Sequence, residues 1–195
     1  MLFRSSIDAL TARELKRFQD WRPVALEAGF QLPLAGFVEW AHELGRELGQ
    51  EAGIPGPADL PDRAVDLQLT GIIDRIDRAQ TGTGALAVID YKTGKLPSVK
   101  QVPELDELQI LLYAGAIEAG ALSRPTEATI GVPISGTVSL GTYFSLSRDK
   151  IDGKDKPHFD ATNDDGRRLL LDGAVELIRL ALAASDPDEI GRAHV

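Results

Sequence analysis

The chain contains no cysteine among its 195 residues, and this absence excludes several kinds of site. Disulfide bonds, thiolate-bound zinc and cysteine-ligated iron–sulfur clusters all require cysteine. Only three histidines are present, and their spacing matches no zinc-binding motif: His42, His158 and His194. Any metal in this chain must therefore be held by oxygen or imidazole ligands.

Long apolar runs are also missing. No stretch approaches the roughly 18 apolar residues that span a membrane, and the start MLFRSSIDAL lacks the apolar core of a signal peptide. The sequence therefore predicts no membrane segment and a cytoplasmic location. Neither a GxSxG nucleophile elbow nor a GxxxxGK[ST] phosphate loop is present, so serine-hydrolase chemistry and an ATPase motor are not expected in this chain.

Positive charge is scarce overall but locally concentrated. A net charge of −9 argues against a protein that coats nucleic acid non-specifically, because phosphate neutralisation requires clustered Lys and Arg. Five basic residues nevertheless lie within 26 positions: Arg75, Arg78, Lys92, Lys95 and Lys100. A local basic groove, and with it a role on nucleic acid, remains open.

The composition, with 43% hydrophobic and 26% charged residues, predicts one folded domain over residues 1–188. The apolar periodicity predicts, in order, a helix at 11–21, an edge strand or extended segment at 24–34, a helix at 36–48, an antiparallel hairpin of strands 65–76 and 85–92, a helix at 105–119, strands at 128–134 and 137–146, and a helix within 161–184. This order favours a mixed α/β (α+β) fold with a central mixed sheet flanked by helices.

Three short motifs carry the chemistry: GIIDRID at 71–77, DYKTGK at 90–95 and QILLY at 109–113. Strand alternation places Asp90 and Lys92 on one face. Taken alone, that pair is as readily a surface ion pair worth less than about 1 kcal/mol. Asp74 alone is more often a solvated strand end, since charged side chains are mostly exposed.

Taken together and in this order, the motifs resemble those of the PD-(D/E)xK nuclease superfamily, and specifically its RecB/AddB branch of DNA repair exonucleases. That branch has a GxxDRxD strand, a DYKTG strand end and a QxxxY helix. PVALEAGF at 23–30 also resembles the PvxxExxF segment that precedes the first strand in that branch. The resemblance covers about residues 20–185 and implies a restriction-endonuclease-like core.

A cation that polarises the phosphoryl group promotes hydrolysis of a phosphodiester at neutral pH, and Mg²⁺ or Mn²⁺ prefers oxygen ligands. Asp74 and Asp90 would supply carboxylates, and the backbone carbonyl of Tyr91 a third oxygen. Lys92 would orient the attacking water and stabilise negative charge on the phosphate. The resemblance implies the same roles.

The resemblance further implies that Gln109 and Tyr113, one helical turn apart, lie over the metal site or the scissile phosphate. Glu27 is either a carboxylate that supports the site or an ordinary surface residue. Three basic residues are candidates for contact with DNA: Arg75, Lys95 and Lys100.

One feature of the family has no match. RecB-type nucleases carry a histidine on a helix upstream of GxxDRxD, whereas His42 follows the Glu27 segment and lies only 32 residues before Asp74. We therefore expect the chain to be truncated at its N-terminus. The ending EIGRAHV at 189–195 resembles translated sequencing adapter, so we expect a non-native tail there.

The leading hypothesis is a Mg²⁺-dependent deoxyribonuclease that acts on DNA ends or single strands in double-strand break repair, with an ATP-dependent helicase partner or fused helicase-like region. The missing histidine motivates an alternative, a catalytically inactive scaffold or DNA-binding lobe of such a complex. A third interpretation, a plain surface hairpin, requires the Asp74 and Asp90 carboxylates to lie more than about 8 Å apart, too far to share one cation.

Overall fold

The computed structural model describes residues 11–82, 84–122, 134, 136–146 and 157–186. Within these residues five strands form one sheet in the order β1-β2-β3-β4-β5. Three of the four neighbouring pairs are antiparallel and β3–β4 is parallel. The prediction of a mixed α/β fold with a central mixed sheet flanked by helices is therefore confirmed.

The elements follow in this order: helix α1 (described over 11–17), β1 (Trp21–Pro33), α2 (Leu34–Glu47), the short α3 (Asp62–Val65), β2 (Gln68–Ala79), β3 (Leu86–Lys92), α4 (Gln109–Glu118), β4 (Val138–Ser145), β5 (Phe159–Asp160) and α5 (Asp164–Ala184). No helix in this described part is long and apolar enough to cross a membrane.

Strand β3 lies at the centre of the sheet. It pairs with β2 as the predicted antiparallel hairpin, with Arg75 opposite Ile89. Its other neighbour, β4, runs parallel to it and is reached through α4, because parallel neighbours require a crossover connection. The last residues of β3 therefore lie beside β2, β4 and the start of α4.

Helices α2, α4 and α5 pack together over the main core. The apolar side chains of α2 recur at helical spacing, and Phe37, Ala41 and Leu44 are buried. Glycines allow close approach: a Cβ on Gly115 would lie 2.6 Å from Phe37 Cε2, and one on Gly173 would lie 2.4 Å from Leu111 Cδ1. This packing sets the position of α4 over the sheet.

Helix α1 packs on the sheet through its charged side. The sequence pattern places Leu15 and Phe18 on one apolar stripe, yet these side chains are 64% and 44% exposed, whereas Arg13 is buried. The sheet face beneath α1 carries charged groups and an aromatic ring, and the Arg13 guanidinium lies 3.8 Å from the centroid of Phe144. The helix therefore turns its basic side inward.

Several boundaries also differ. Residues 62–65 form a helical turn, so β2 begins at Gln68 instead of Val65. Helix α4 begins at Gln109, because the chain before it forms turns that include Leu105 with φ of 59°. Strand β5 was not predicted. The strand predicted over 128–134 lies almost wholly outside the described residues, as does the tail predicted over 189–195.

Candidate active site

Asp74 and Asp90 are carried by adjacent strands. The β2–β3 register ends with Arg75 opposite Ile89, so the next position places Asp74 across from Asp90. Residues directly opposed in an antiparallel pair share a face, with Cβ atoms about 4.5–5.5 Å apart. The next residue of β3, Tyr91, donates its backbone N–H to Asp74 Oδ2 over 2.7 Å. The Asp74 carboxylate is thus held by the residue that directly follows Asp90.

Asp90 is only 4% exposed, so it does not belong to a solvated surface ion pair. Lys92 Nζ lies 2.9 Å from Asp90 Oδ2 as an ion pair, and this buried oxygen accepts no further hydrogen bond from a described residue. Burial raises the pKa of Asp90 above its ordinary value; Lys92 lowers this pKa, and the negative charge of Asp74 raises it further. The carboxylate would therefore gain from a cation.

Helix α4 holds the lysine from the other side. Lys92 Nζ donates to Gln109 Oε1 over 2.6 Å, and Gln109 Nε2 donates to Tyr113 Oη over 2.7 Å. Burial raises the pKa of Tyr113, which keeps its hydroxyl protonated. Asp90, Lys92, Gln109 and Tyr113 thus form one continuous set of contacts, which Asp74 joins through the Tyr91 amide.

The Tyr91 carbonyl is directed toward β2. In a strand the N–H and C=O of one residue point to the same side, and the Tyr91 N–H points to Asp74. The next carbonyl, that of Lys92, points the other way and accepts from the Leu146 N–H of the chain after β4. The carbonyl predicted as a metal ligand therefore lies on the Asp74 side of β3.

These donors fit a hard cation. Two carboxylates and one carbonyl are oxygen ligands, and Mg²⁺ commonly takes only one or two carboxylates while keeping several waters. The buried Asp90 Oδ2, which has only the Lys92 ammonium beside it among the described residues, is the clearest such position. Among the described residues no group of three or more His, Cys, Asp or Glu could hold a metal ion. The candidate site therefore differs from a structural zinc site, in which four side chains surround the metal.

A family model described as the PD-(D/E)XK nuclease superfamily matches residues 2–190. The chain belongs to this superfamily. A search of curated proteins found no match. The five-stranded mixed sheet flanked by helices is consistent with the restriction-endonuclease-like fold of this nuclease superfamily.

Two further residues, Glu107 and Tyr143, adjoin the candidate site, and neither belongs to the three sequence motifs. Tyr143, beside Asp90 in the β3–β4 register, donates its hydroxyl to Glu107 Oε1 over 3.1 Å and accepts from the Ile110 N–H. Burial and the negative charge of Glu107 raise the pKa of Tyr143 far above its ordinary value. Lys92 Nζ lies 5.1 Å from the Tyr143 ring centroid. The only indication of this contact in the sequence is the position of Glu107, an acidic residue two positions before Gln109.

Arg75 is a correction among the predicted DNA contacts. It is 4% exposed, and its guanidinium donates to Asp77, Glu14 and Tyr91. The reason is strand alternation, since Arg75 points to the face of β2 opposite that of Asp74. Lys95 and Lys100 are exposed after β3, and neither forms an ion pair within the described part of the chain.

Glu27 and His42 lie apart from the contacts of the site. Glu27 occupies the β1 position across from Asp74, between the pairs Leu26–Arg75 and Ala28–Ile73. It is exposed, has φ of 49°, and makes no hydrogen bond or ion pair with another described residue. His42 Nε2 lies 3.1 Å from the Pro55 carbonyl oxygen, in the connection after α2.

Proposed function

We propose that this chain is a Mg²⁺- or Mn²⁺-dependent deoxyribonuclease from a RecB/AddB-like protein of double-strand break repair and recombination, acting as an exonuclease. The observation that carries the proposal is the arrangement at the end of β3. Asp74 and Asp90 lie across from each other, and Lys92 reaches both Asp90 and Gln109. The RecB/AddB assignment is supported by the GIIDRID, DYKTGK and QILLY motifs.

The site residues have two roles, metal binding and orientation of the attacking water. Asp74, Asp90 and the Tyr91 carbonyl would hold the cation, and a bound divalent cation would polarise the phosphodiester for attack by water. Lys92 orients the attacking water and stabilises the charge that builds up on the phosphate.

Gln109 and Tyr113 control where the ammonium group of Lys92 points. The Asp90–Lys92 pair would weaken with a cation bound, because Lys92 and the cation would share one carboxylate. Gln109 Oε1 still accepts from Lys92 Nζ, and Tyr113 fixes the Gln109 amide. The lysine thus stays directed over the strand ends.

The DNA approaches from the side of the segment that follows β3. Lys95 and Lys100 are exposed there, so they can contact phosphates without first breaking an ion pair. The overall charge of −9 opposes binding along a long stretch of duplex, which fits delivery of an end or single strand by a helicase partner or fused helicase-like region.

A second candidate is a nuclease-like lobe that has lost catalysis. It is favoured by the direct Asp90–Lys92 pair and by the finding that no three His, Cys, Asp or Glu side chains among the described residues are grouped so that they could hold a metal ion. The two candidates differ in metal binding, because a ligand that binds only the folded state stabilises it by about 2.7 kcal/mol at one hundred times its dissociation constant.

Cleavage of end-labelled single-stranded DNA in Mg²⁺ or Mn²⁺ tests the proposal. We expect Asp90→Ala and Lys92→Ala to reduce the rate by about 100-fold or more, since each removes a group that acts on the transition state. Asp106→Ala is the matched control, an exposed acid in the turn before α4. Equal rates in all four proteins would contradict the assignment. No cleavage and no Mg²⁺-dependent stabilisation of the parent would favour the inactive lobe.

A further inference from the structure

The GIIDRID motif serves both faces of the sheet. Asp74 faces the candidate site, whereas Arg75 and Asp77 face the opposite side and form a two-point pair. Arg75 Nε donates to Asp77 Oδ1 over 2.6 Å and its Nη2 donates to Oδ2 over 3.0 Å. The two side chains are 5% and 0% exposed. Half of this motif therefore has no direct part in holding a cation.

Helix α1 completes the pair. Glu14 Oε2 accepts from Arg75 Nη1 over 2.6 Å, and Arg17 Nε donates to Asp77 Oδ2 over 2.7 Å. We call Glu14, Arg17, Arg75 and Asp77 the rear ion cluster. Buried ion pairs are often no more stabilising than apolar residues of the same volume, so stability alone is a weak reason for this cluster.

The rear ion cluster reaches the site through one residue. Arg75 Nη1 donates to Tyr91 Oη over 3.1 Å on the rear face. The same Tyr91 donates its backbone N–H to Asp74 Oδ2 and stands between Asp90 and Lys92 in the sequence. Tyr91 is therefore held at both ends, by its hydroxyl behind the sheet and by its amide at the site.

We propose that Arg75, fixed by Asp77 and by Glu14 of α1, is a positioning residue. By holding the Tyr91 hydroxyl it sets the Tyr91 amide and carbonyl, and with them the Asp74 carboxylate, in the arrangement that binds the cation. The docking of α1 then controls metal affinity without any α1 side chain touching the metal. This inference rests on the proposed metal-dependent function.

Two small substitutions test it in the full chain. Tyr91→Phe removes only the hydroxyl, and Glu14→Gln removes the charge that fixes Arg75 from α1. Leu15→Ala is the control on the same helix, because Leu15 is 64% exposed. Ile178→Val is a second control, which trims a buried side chain of α5 and lowers stability without touching the cluster.

Three quantities are measured for each variant: the hydrogen-exchange rate of the Tyr91 amide by NMR, the Mn²⁺ dissociation constant by calorimetry, and the melting temperature. We expect Tyr91→Phe and Glu14→Gln to raise the exchange rate and the dissociation constant by roughly tenfold, as for other groups that orient metal ligands. Leu15→Ala should change neither quantity, and Ile178→Val should lower the melting temperature and leave the Mn²⁺ dissociation constant unchanged.

Unchanged Tyr91 exchange and Mn²⁺ affinity in Tyr91→Phe and Glu14→Gln would overturn the positioning role. An Ile178→Val affinity loss as large as theirs would overturn it too, since general loosening would then suffice. If the parent binds no Mn²⁺, the proposed function is contradicted, and the Tyr91 exchange rate still decides whether the rear ion cluster secures the bond to Asp74.

Discussion

Tyr91 donates its backbone N–H to the carboxylate of Asp74 over 2.7 Å. This bond links the two candidate metal ligands, since Tyr91 follows Asp90 directly on β3 and Asp74 lies on β2. It also explains why the regular β2–β3 pairing stops at Arg75 and Ile89. At Tyr91 the backbone N–H donates to the Asp74 side chain instead of to a backbone carbonyl of β2.

Lys92→Met should separate catalysis from metal binding. The substitution keeps the length of the side chain but removes the ammonium group between Asp90 and Gln109, so we expect the single-turnover cleavage rate to fall about 100- to 1,000-fold. Lys16→Met, at an exposed lysine of α1, is the control and should cleave as the parent does. A Lys92→Met rate within twofold of the parent rate would remove Lys92 from the mechanism.

Gly71→Ala should disturb the site from a distance. A Cβ at Gly71 would lie 2.7 Å from Cε1 of Phe30, whose ring packs edge-to-face on Tyr113 at 5.9 Å. Phe30 is buried, so the clash should cost about 1–3 kcal/mol in the free energy of unfolding, measured in urea, and slow cleavage through Tyr113. Gly36→Ala in α2, where the nearest atom is 3.4 Å away, should be neutral or stabilising.

His158 should make stability depend on pH. Burial lowers the pKa of His158 below its ordinary value of 6.5, although its hydrogen bond to the Pro97 carbonyl opposes the shift. Its Nδ1 accepts from the Tyr143 N–H, so the buried ring is neutral. The unfolded chain then binds the proton more readily, and this stabilising contribution is complete above pH 6.5 and is lost as pH falls through the lower, folded pKa.

Urea unfolding between pH 5 and pH 8 measures this dependence. His158→Gln should remove the part of the slope that the buried ring contributes, and His42→Gln, at a histidine bonded to Pro55, should retain it. The prediction is wrong if the His158→Gln protein follows the same pH curve as the parent.

Lys95 and Lys100 should contribute to DNA affinity through salt-dependent contacts. Each lysine that neutralises one phosphate of a single strand adds about 0.7 to the slope of log affinity against log salt concentration. Fluorescence anisotropy with Lys95→Ala and Lys100→Ala should therefore show shallower slopes, while Lys16→Ala should not. If both lysine variants kept the salt slope of the parent, neither lysine would contact the DNA.

Local patterns predicted the centre of the molecule well. The alternation in ALAVIDYK placed Asp90 and Lys92 on one face of a strand, and the glycine-rich connection predicted the β2–β3 hairpin. The helical spacing of Gln109 and Tyr113 likewise puts their side chains within hydrogen-bond distance. In each case the partners are close in sequence or belong to adjacent elements, so local periodicity carries the information.

The failures involve partners far apart in sequence. Arg75 is one of the basic residues predicted to contact DNA, yet it is paired with Glu14, which lies 61 residues away. The helical spacing of Leu15 and Phe18 indicates the helix α1 but not its inward side, because the charged surface that α1 covers selects Arg13 instead. Glu107 was missed because Tyr143, which donates to it, comes from a strand 36 residues further along.

Calorimetric titration with Mn²⁺ tests the central claim most directly, with the parent beside Asp74→Asn, Asp90→Asn and Lys92→Met. We expect the parent to bind, each Asn variant to bind at least about tenfold more weakly because a carboxylate ligand is lost, and Lys92→Met to bind as well as the parent or better, since a competing positive charge is gone. Equal Mn²⁺ affinity in the parent and both Asn variants would contradict a metal site at Asp74 and Asp90.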